Sequence, residues 1–159
     1  ANLMTIHFHA LSTDDVRALQ RGGLDANGQP AERSISDGGG NPCRHCLQDI
    51  PKGKGMLILA WRPFSELQPY AECGPIFLCA DECAQHADSR SQPDYFSKRE
   101  SVLLKGYTDQ ERIKYGTGQL VSPEEIRAVS EHILESEDVA FVDIRSATNN
   151  CFQARIHRA

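Results

Sequence analysis

The sequence predicts an α+β fold in a single domain covering residues 1–159, with a largely antiparallel sheet, a few helices and a C-terminal β-hairpin. Three observations predict it. Strand-like runs dominate the first two thirds of the chain, one strongly signalled helix begins at Ser122, and two further strand-like runs flank an Asn-rich turn at the end. Sheet strands that follow one another without intervening crossover helices pair antiparallel. A chain of 159 residues buries a full core without crosslinks, so its six cysteines are not required for folding alone.

Alternation from Leu3 to His9 predicts a half-buried strand with Met4, Ile6 and Phe8 inward. Ser12, followed by Thr13, Asp14 and Asp15, supplies an N-cap and acids in the first turn of a helix whose apolar stripe is Val16 and Leu19. Gly22 and Gly23 stop it. Residues 24–41, rich in Gly, Asn, Pro and Ser, predict a long loop with one short strand near Arg33 to Ile35. Met56 to Trp61 is a continuous apolar run and predicts a central strand, closed by Pro63. Ile76 to Leu78 predicts a second buried strand. Ala80 to Ala87 reads as a short helix carrying Cys83 and His86, and a helical turn follows Pro93.

Val102 to Tyr107 predicts a strand, and Glu111 to Val121 another, loosened by Gly116 and Gly118. Ser122, Pro123, Glu124 and Glu125 place an N-cap, a proline at the first helical position and two early acids before the apolar face Ile126, Val129 and Ile133. Val139 to Ile144 and Cys151 to Ile156 then form the closing hairpin. Its Asn149-Asn150 turn suggests an ordinary hairpin with Asp143 and Arg145 on an exposed face.

The formal net charge of −5 and the absence of a Lys/Arg block argue against a nucleic-acid partner, which demands a basic footprint. No apolar run is long enough to span a bilayer, and the N-terminal residues lack the basic and apolar regions of a signal peptide. The expected compartment is therefore cytoplasmic, with no membrane partner, where thiols stay reduced.

In that setting Cys43-x2-Cys46 and Cys79-x3-Cys83 become the main chemical signal. Zinc takes four tetrahedral ligands, and thiolates presented in pairs on two turns supply them with little strain. His45, Cys73 and His86 are alternative ligands. Two other readings compete: small apolar thiols in or near a core, and a Cys43/Cys46 redox pair, for which the flanking sequence lacks the strand–CxxC–helix context. A second constellation, Arg44, Tyr70, Glu72, Arg145 and Cys151, groups polar residues at loop and strand ends and suggests a small-molecule pocket. A Cys151 nucleophile there needs a base that the sequence does not place. The six histidines are scattered, and most are expected to face solvent.

Several segments resemble a known family. Pro42-Cys43-Arg44-x-x-Leu47, Leu57-Ile58-Leu59, Arg62-Pro63-Phe64 and Pro69-Tyr70-Ala71-Glu72-x-Gly74-Pro75-Ile76-Phe77 look like the bacterial proteins grouped as domain of unknown function 1203, as does the ending from Val139 to Arg155. The resemblance covers most of the chain and implies no activity. It does imply that cysteines at positions 43 and 151 belong to the shared pattern. The position of Cys46 often carries Ser and that of Cys79 His or Arg, so a four-cysteine site would mark a subset of members.

Overall fold

Two antiparallel sheets and two α-helices form the protein in a computed structural model that describes residues 5–87 and 90–159. The strands are β1 (Ile6–His9), β2 (Glu32–Ile35), β3 (Gly55–Trp61), β4 (Gly74–Cys79), β5 (Val102–Tyr107), β6 (Gln119–Val121), β7 (Phe141–Ser146) and β8 (Phe152–Arg158). The helices are α1 (Thr13–Gln20) and α2 (Ile126–Leu134). A five-stranded sheet has the order β1-β8-β7-β5-β6, and a three-stranded sheet the order β2-β3-β4. The α+β expectation holds, with β3 central in the smaller sheet. The part of the first strand expected at Leu3 and Met4 lies outside the described residues.

Each sheet owns a core. On one face of the large sheet, Ile6, Phe8, Leu104, Ile144 and Ile156 meet Ile126, Ile133 and Leu134 of α2. This helix starts as the sequence predicts: Ser122 and Glu125 form a reciprocal capping box that leads into Pro123–Glu125 and then α2. Gly106 of β5 is required for the fit, because a Cβ there would stand 2.9 Å from Ile133 Cγ2. The second core gathers Val16 and Leu19 of α1 with Leu57, Leu59, Ile76 and Leu78 of the small sheet, and includes Cys43, Ile50 and Phe152. Ser12 caps α1 by accepting from Asp15 N–H at 3.2 Å. Phe152 belongs to β8, so the second core reaches the edge of the hairpin and holds the two sheets against each other.

Three sequence expectations fail. Residues 80–87 are not helical, because their carbonyls are already engaged: Gln20 Nε2 donates to the carbonyls of Cys79 and Asp81 at 2.9 and 3.0 Å, and Arg17 Nη2 to that of Cys83 at 2.8 Å. Those bonds replace an i→i+4 ladder. The stretch from Glu111 to Gly118 is a series of turns, with Glu111 and Gly116 at φ 62° and 91°, and only Gln119–Val121 joins the sheet. Asp143 and Arg145 are not exposed; they are 0% and 4% accessible. The segment after β3 folds over that face, and Arg155 donates to Pro63 O at 2.6 Å while packing against Phe64. The turn chemistry itself holds, since Asn150 takes φ 58°.

A histidine pair lies where β1 meets β8. His9 and His157 stand edge to face at 4.5 Å. Burial first, then the neighbouring His9 and Arg155, pulls the His157 pKa down to about 4. In the unfolded chain it titrates near 6.5. Between those values the unfolded state binds the extra proton, so stability falls as pH drops from about 6.5 to about 4. His157→Gln is expected to flatten that loss in urea midpoints measured across this range; an unchanged pH slope would refute the assignment.

Candidate functional site

The turn Pro42–Asp49 is built to present sulfur. It closes by an antiparallel bridge between Pro42 and Asp49, and Cys43 N–H donates to Gln48 O at 2.9 Å. Leu47 takes φ 54°, which turns the chain back directly after Cys46. On its other side the turn continues the small sheet: Cys43 bridges Phe77 in parallel, and Arg44 N–H donates to Phe77 O at 3.1 Å. Cys79 ends β4, and Cys83 sits on the loop that α1 holds in place.

These elements bring the four cysteines together. The Sγ atoms of Cys43, Cys46, Cys79 and Cys83 all lie within 4.8 Å of one another, and all are free thiols. The Cys43–Cys83 separation is 3.8 Å. A tetrahedral ion with bonds of about 2.3 Å sets sulfurs about 3.8 Å apart, whereas a disulfide needs about 2.05 Å. The donor set and spacing therefore fit a thiophilic divalent cation.

Electrostatics favour the same cation. Hydrogen bonding with Cys46, and next with Cys79 and Cys83, holds the Cys43 thiol far below its ordinary range. The same contact with Cys43 pushes the Cys79 and Cys83 thiols well above it. The Cys46 thiol also lies below its ordinary value, since Cys43 raises it but hydrogen bonds with Cys79 and Cys83 outweigh that. Thiolates are thus favoured at two positions and disfavoured at the other two, so four thiolates in this volume require a positive centre. Donors surround the sulfurs. Cys79 N–H points to Cys43 Sγ at 3.3 Å, and His45 Nδ1 lies 3.1 Å from Cys83 Sγ. Thr13 Oγ1 is 2.9 Å from His45 Nε2, so a hydroxyl donated there leaves Nδ1–H to donate to the sulfur. Burial pulls the His45 pKa below its usual value, consistent with a neutral ring.

His45, an alternative ligand on sequence grounds, is fully buried beside the cluster: it is not among the four grouped donors and meets them through Nδ1 at Cys83 Sγ. The alternative ligands Cys73 and His86 are not in the cluster: Cys73 is exposed beside Asn27, and His86 Nε2 lies near Ser91 O.

The second constellation divides. Arg44 and Cys151 line a cavity of about 380 Å³. Glu72, Arg145 and Cys151 line a neighbouring one of about 220 Å³. Arg145 stands 3.8 Å from Glu72 and 3.9 Å from Asp143, and its Nη1 donates to Asn150 O at 3.1 Å. Its Nε and Nη2, with Tyr107 Oη, are buried without a hydrogen bond. Tyr70 lies apart, its hydroxyl 2.9 Å from that of Tyr115 and Arg112 over its ring. No histidine lines either cavity, so Cys151 has no imidazole base there.

Fold and site together define a class: an α+β protein in which a cysteine turn, a strand end and a loop converge on one four-sulfur centre. Residues 40–158 match the family model described as "Protein of unknown function (DUF1203)", and the chain belongs to this family. No curated protein and no solved structure matches it. Among the described residues no helix is long and apolar enough to cross a membrane.

Proposed function

We propose that the chain is a single-domain binding or accessory module whose small sheet is clipped by a structural zinc ion held by Cys43, Cys46, Cys79 and Cys83. The observation that carries this reading is the mutual approach of the four free Sγ atoms within 4.8 Å. Four protein sulfurs fill a tetrahedral shell and leave no position for water or substrate, which is the character of a structural site. The ligands come as two local pairs well separated in sequence, so the ion would tie the Pro42–Asp49 turn to the end of β4 and the 80–87 loop. Besides the polar clamps from α1, the loop is held by His86 N–H donating to His45 O at 2.9 Å and by Gln85 Nε2 donating to Leu11 O at 3.1 Å.

Metal analysis of protein purified without added zinc tests the reading. About one equivalent of zinc is expected, with the four cluster thiols reacting only after the ion is displaced. Less than about a tenth of an equivalent, with all thiols freely titratable, would refute it.

A further inference from the structure

Arg44 sits between two of the clustered cysteines in sequence, yet its side chain points away from them, towards the hairpin. It is 3% accessible. Nε donates to Phe152 O at 2.8 Å and Nη1 to Pro42 O at 2.7 Å, leaving Nη2 to the cavity that the residue lines. Among the described residues no carboxylate forms an ion pair with it. The contrast with the rest of the interior is sharp. Arg145 has Glu72 and Asp143 beside it, and Arg155 has Asp143. A guanidinium cannot shed its proton at ordinary pH, and this one is buried with no carboxylate on it among the described residues. Its nearby ionisable acids are the Tyr95 hydroxyl and the Cys151 and Cys43 thiols, so it can take an anion.

The cavity of about 380 Å³ is suited to a small organic anion. A second cation lines it: Arg99, anchored to Asp49 by Nη2 at 2.8 Å. Its lining acid, Glu100, is exposed and stays solvated. Apolar surface completes it, with the Phe77 ring 5.7 Å from the Arg44 guanidinium carbon, and with Pro75. Ser146 and Asn149 offer polar groups at the hairpin end.

We propose that this cavity binds a small carboxylate with an apolar body, its carboxylate on the free edge of Arg44 with help from Arg99 and its body against Phe77 and Pro75. The site needs no reacting group. The proposal stands on the burial and pairing of Arg44, so it does not depend on which metal the cysteines hold.

Benzoate is a suitable probe, with benzamide as its neutral counterpart and inorganic phosphate as an anion without an apolar body. In a ¹H–¹⁵N NMR titration of the full chain, benzoate is expected to give saturable shifts at the amides of Arg44, Ser101 and residues 146–151. Benzamide and phosphate should bind at least about tenfold more weakly, because a charge-assisted bidentate contact or the apolar contact is lost. Arg44→Gln, checked for an otherwise unchanged spectrum, should weaken benzoate by at least about tenfold. The half-exposed Arg99→Gln should weaken it severalfold, and serves where Arg44→Gln does not fold. Shifts that do not saturate, equal binding of benzamide or phosphate, or undiminished binding by a folded arginine variant would overturn the proposal.

Discussion

Cys79→Ser is expected to lower the thermal midpoint by roughly 6–12 °C, the equivalent of about 3 kcal/mol in a chain of this size. Chelator added to the unaltered protein should produce a loss of similar size, and chelator added to the variant little more. The reason is mechanical as well as chemical. Cys79 closes β4, where its N–H also serves Cys43 Sγ, and its carbonyl accepts from Gln20. Losing the centre frees the 80–87 loop and the Pro42–Asp49 turn together. Cys73→Ser is the internal control: Cys73 is exposed and outside the cluster, so it should change the midpoint by no more than about 1–2 °C. If the cysteines were only small apolar residues, Cys79→Ser would cost about 1 kcal/mol and chelator would do nothing. Circular dichroism melts of these proteins, with and without chelator, separate the two outcomes.

The second large effect is expected at Asp143. Its carboxylate is completely buried and receives Arg155 in two bonds, Nε at 2.7 Å and Nη2 at 3.1 Å. Burial pushes the Asp143 carboxyl above its ordinary pKa, and Arg155 opposes that push. The Arg155 guanidinium in turn lies 3.9 Å from the centre of the Phe141 ring. Asp143→Ala takes the bidentate partner from a guanidinium only 16% accessible, leaving it the longer Glu111 contact at 3.9 Å and leaving Arg145 with the Glu72 ion pair. A cost of about 3–5 kcal/mol is expected, the range for one half of a buried ion pair removed. Asp143→Ala combined with Arg155→Met should cost less than the sum of the single changes, because the second substitution removes the stranded charge. Urea unfolding of the four proteins measures this. A single-variant loss under about 1 kcal/mol, or strict additivity, would show that the pair does not organise this face.

Much of the fold was legible because local signals and tertiary demands agree. The capping residues Ser12 and Ser122 sit where helices start. The apolar runs at Met56 and Ile76 become adjacent strands, with Leu57 opposite Leu78. The ending from Phe141 to Arg158 is a hairpin, as its Asn-rich turn indicates. Two of the three failures share one cause, which is that a distant segment decides; the third, Glu111 to Gly118, is broken locally by left-handed residues at Glu111 and Gly116. Alternation along β7 correctly puts Val142 and Ile144 on one face, but it cannot reveal that the segment around Pro63 and Phe64 covers the other. Ala80 to Ala87 has helix-compatible residues, yet Arg17 and Gln20 claim its carbonyls from more than fifty positions away.

The site divides along similar lines. Spacing alone was enough to nominate Cys43, Cys46, Cys79 and Cys83, because both pairs are local in sequence and only their meeting is long-range. Sequence also offered His45 as a substitute ligand, but its place beside the sulfurs depends on Thr13 on one side and Cys83 on the other. Arg44 was nominated for a pocket from its neighbourhood, and what gives it weight is an absence visible only in space, that of a paired carboxylate. The family resemblance separated Cys43 from Cys46, whereas the geometry joins them in one cluster. The turn thus delivers both of its thiols to one four-sulfur cluster in this chain.

Zinc K-edge X-ray absorption on the purified protein tests the central claim most directly. Four sulfur scatterers at about 2.3 Å, with no nitrogen or oxygen in the first shell, are the predicted result. A spectrum requiring His45 nitrogen or water oxygen as a ligand, or a preparation with no bound metal at all, would contradict it.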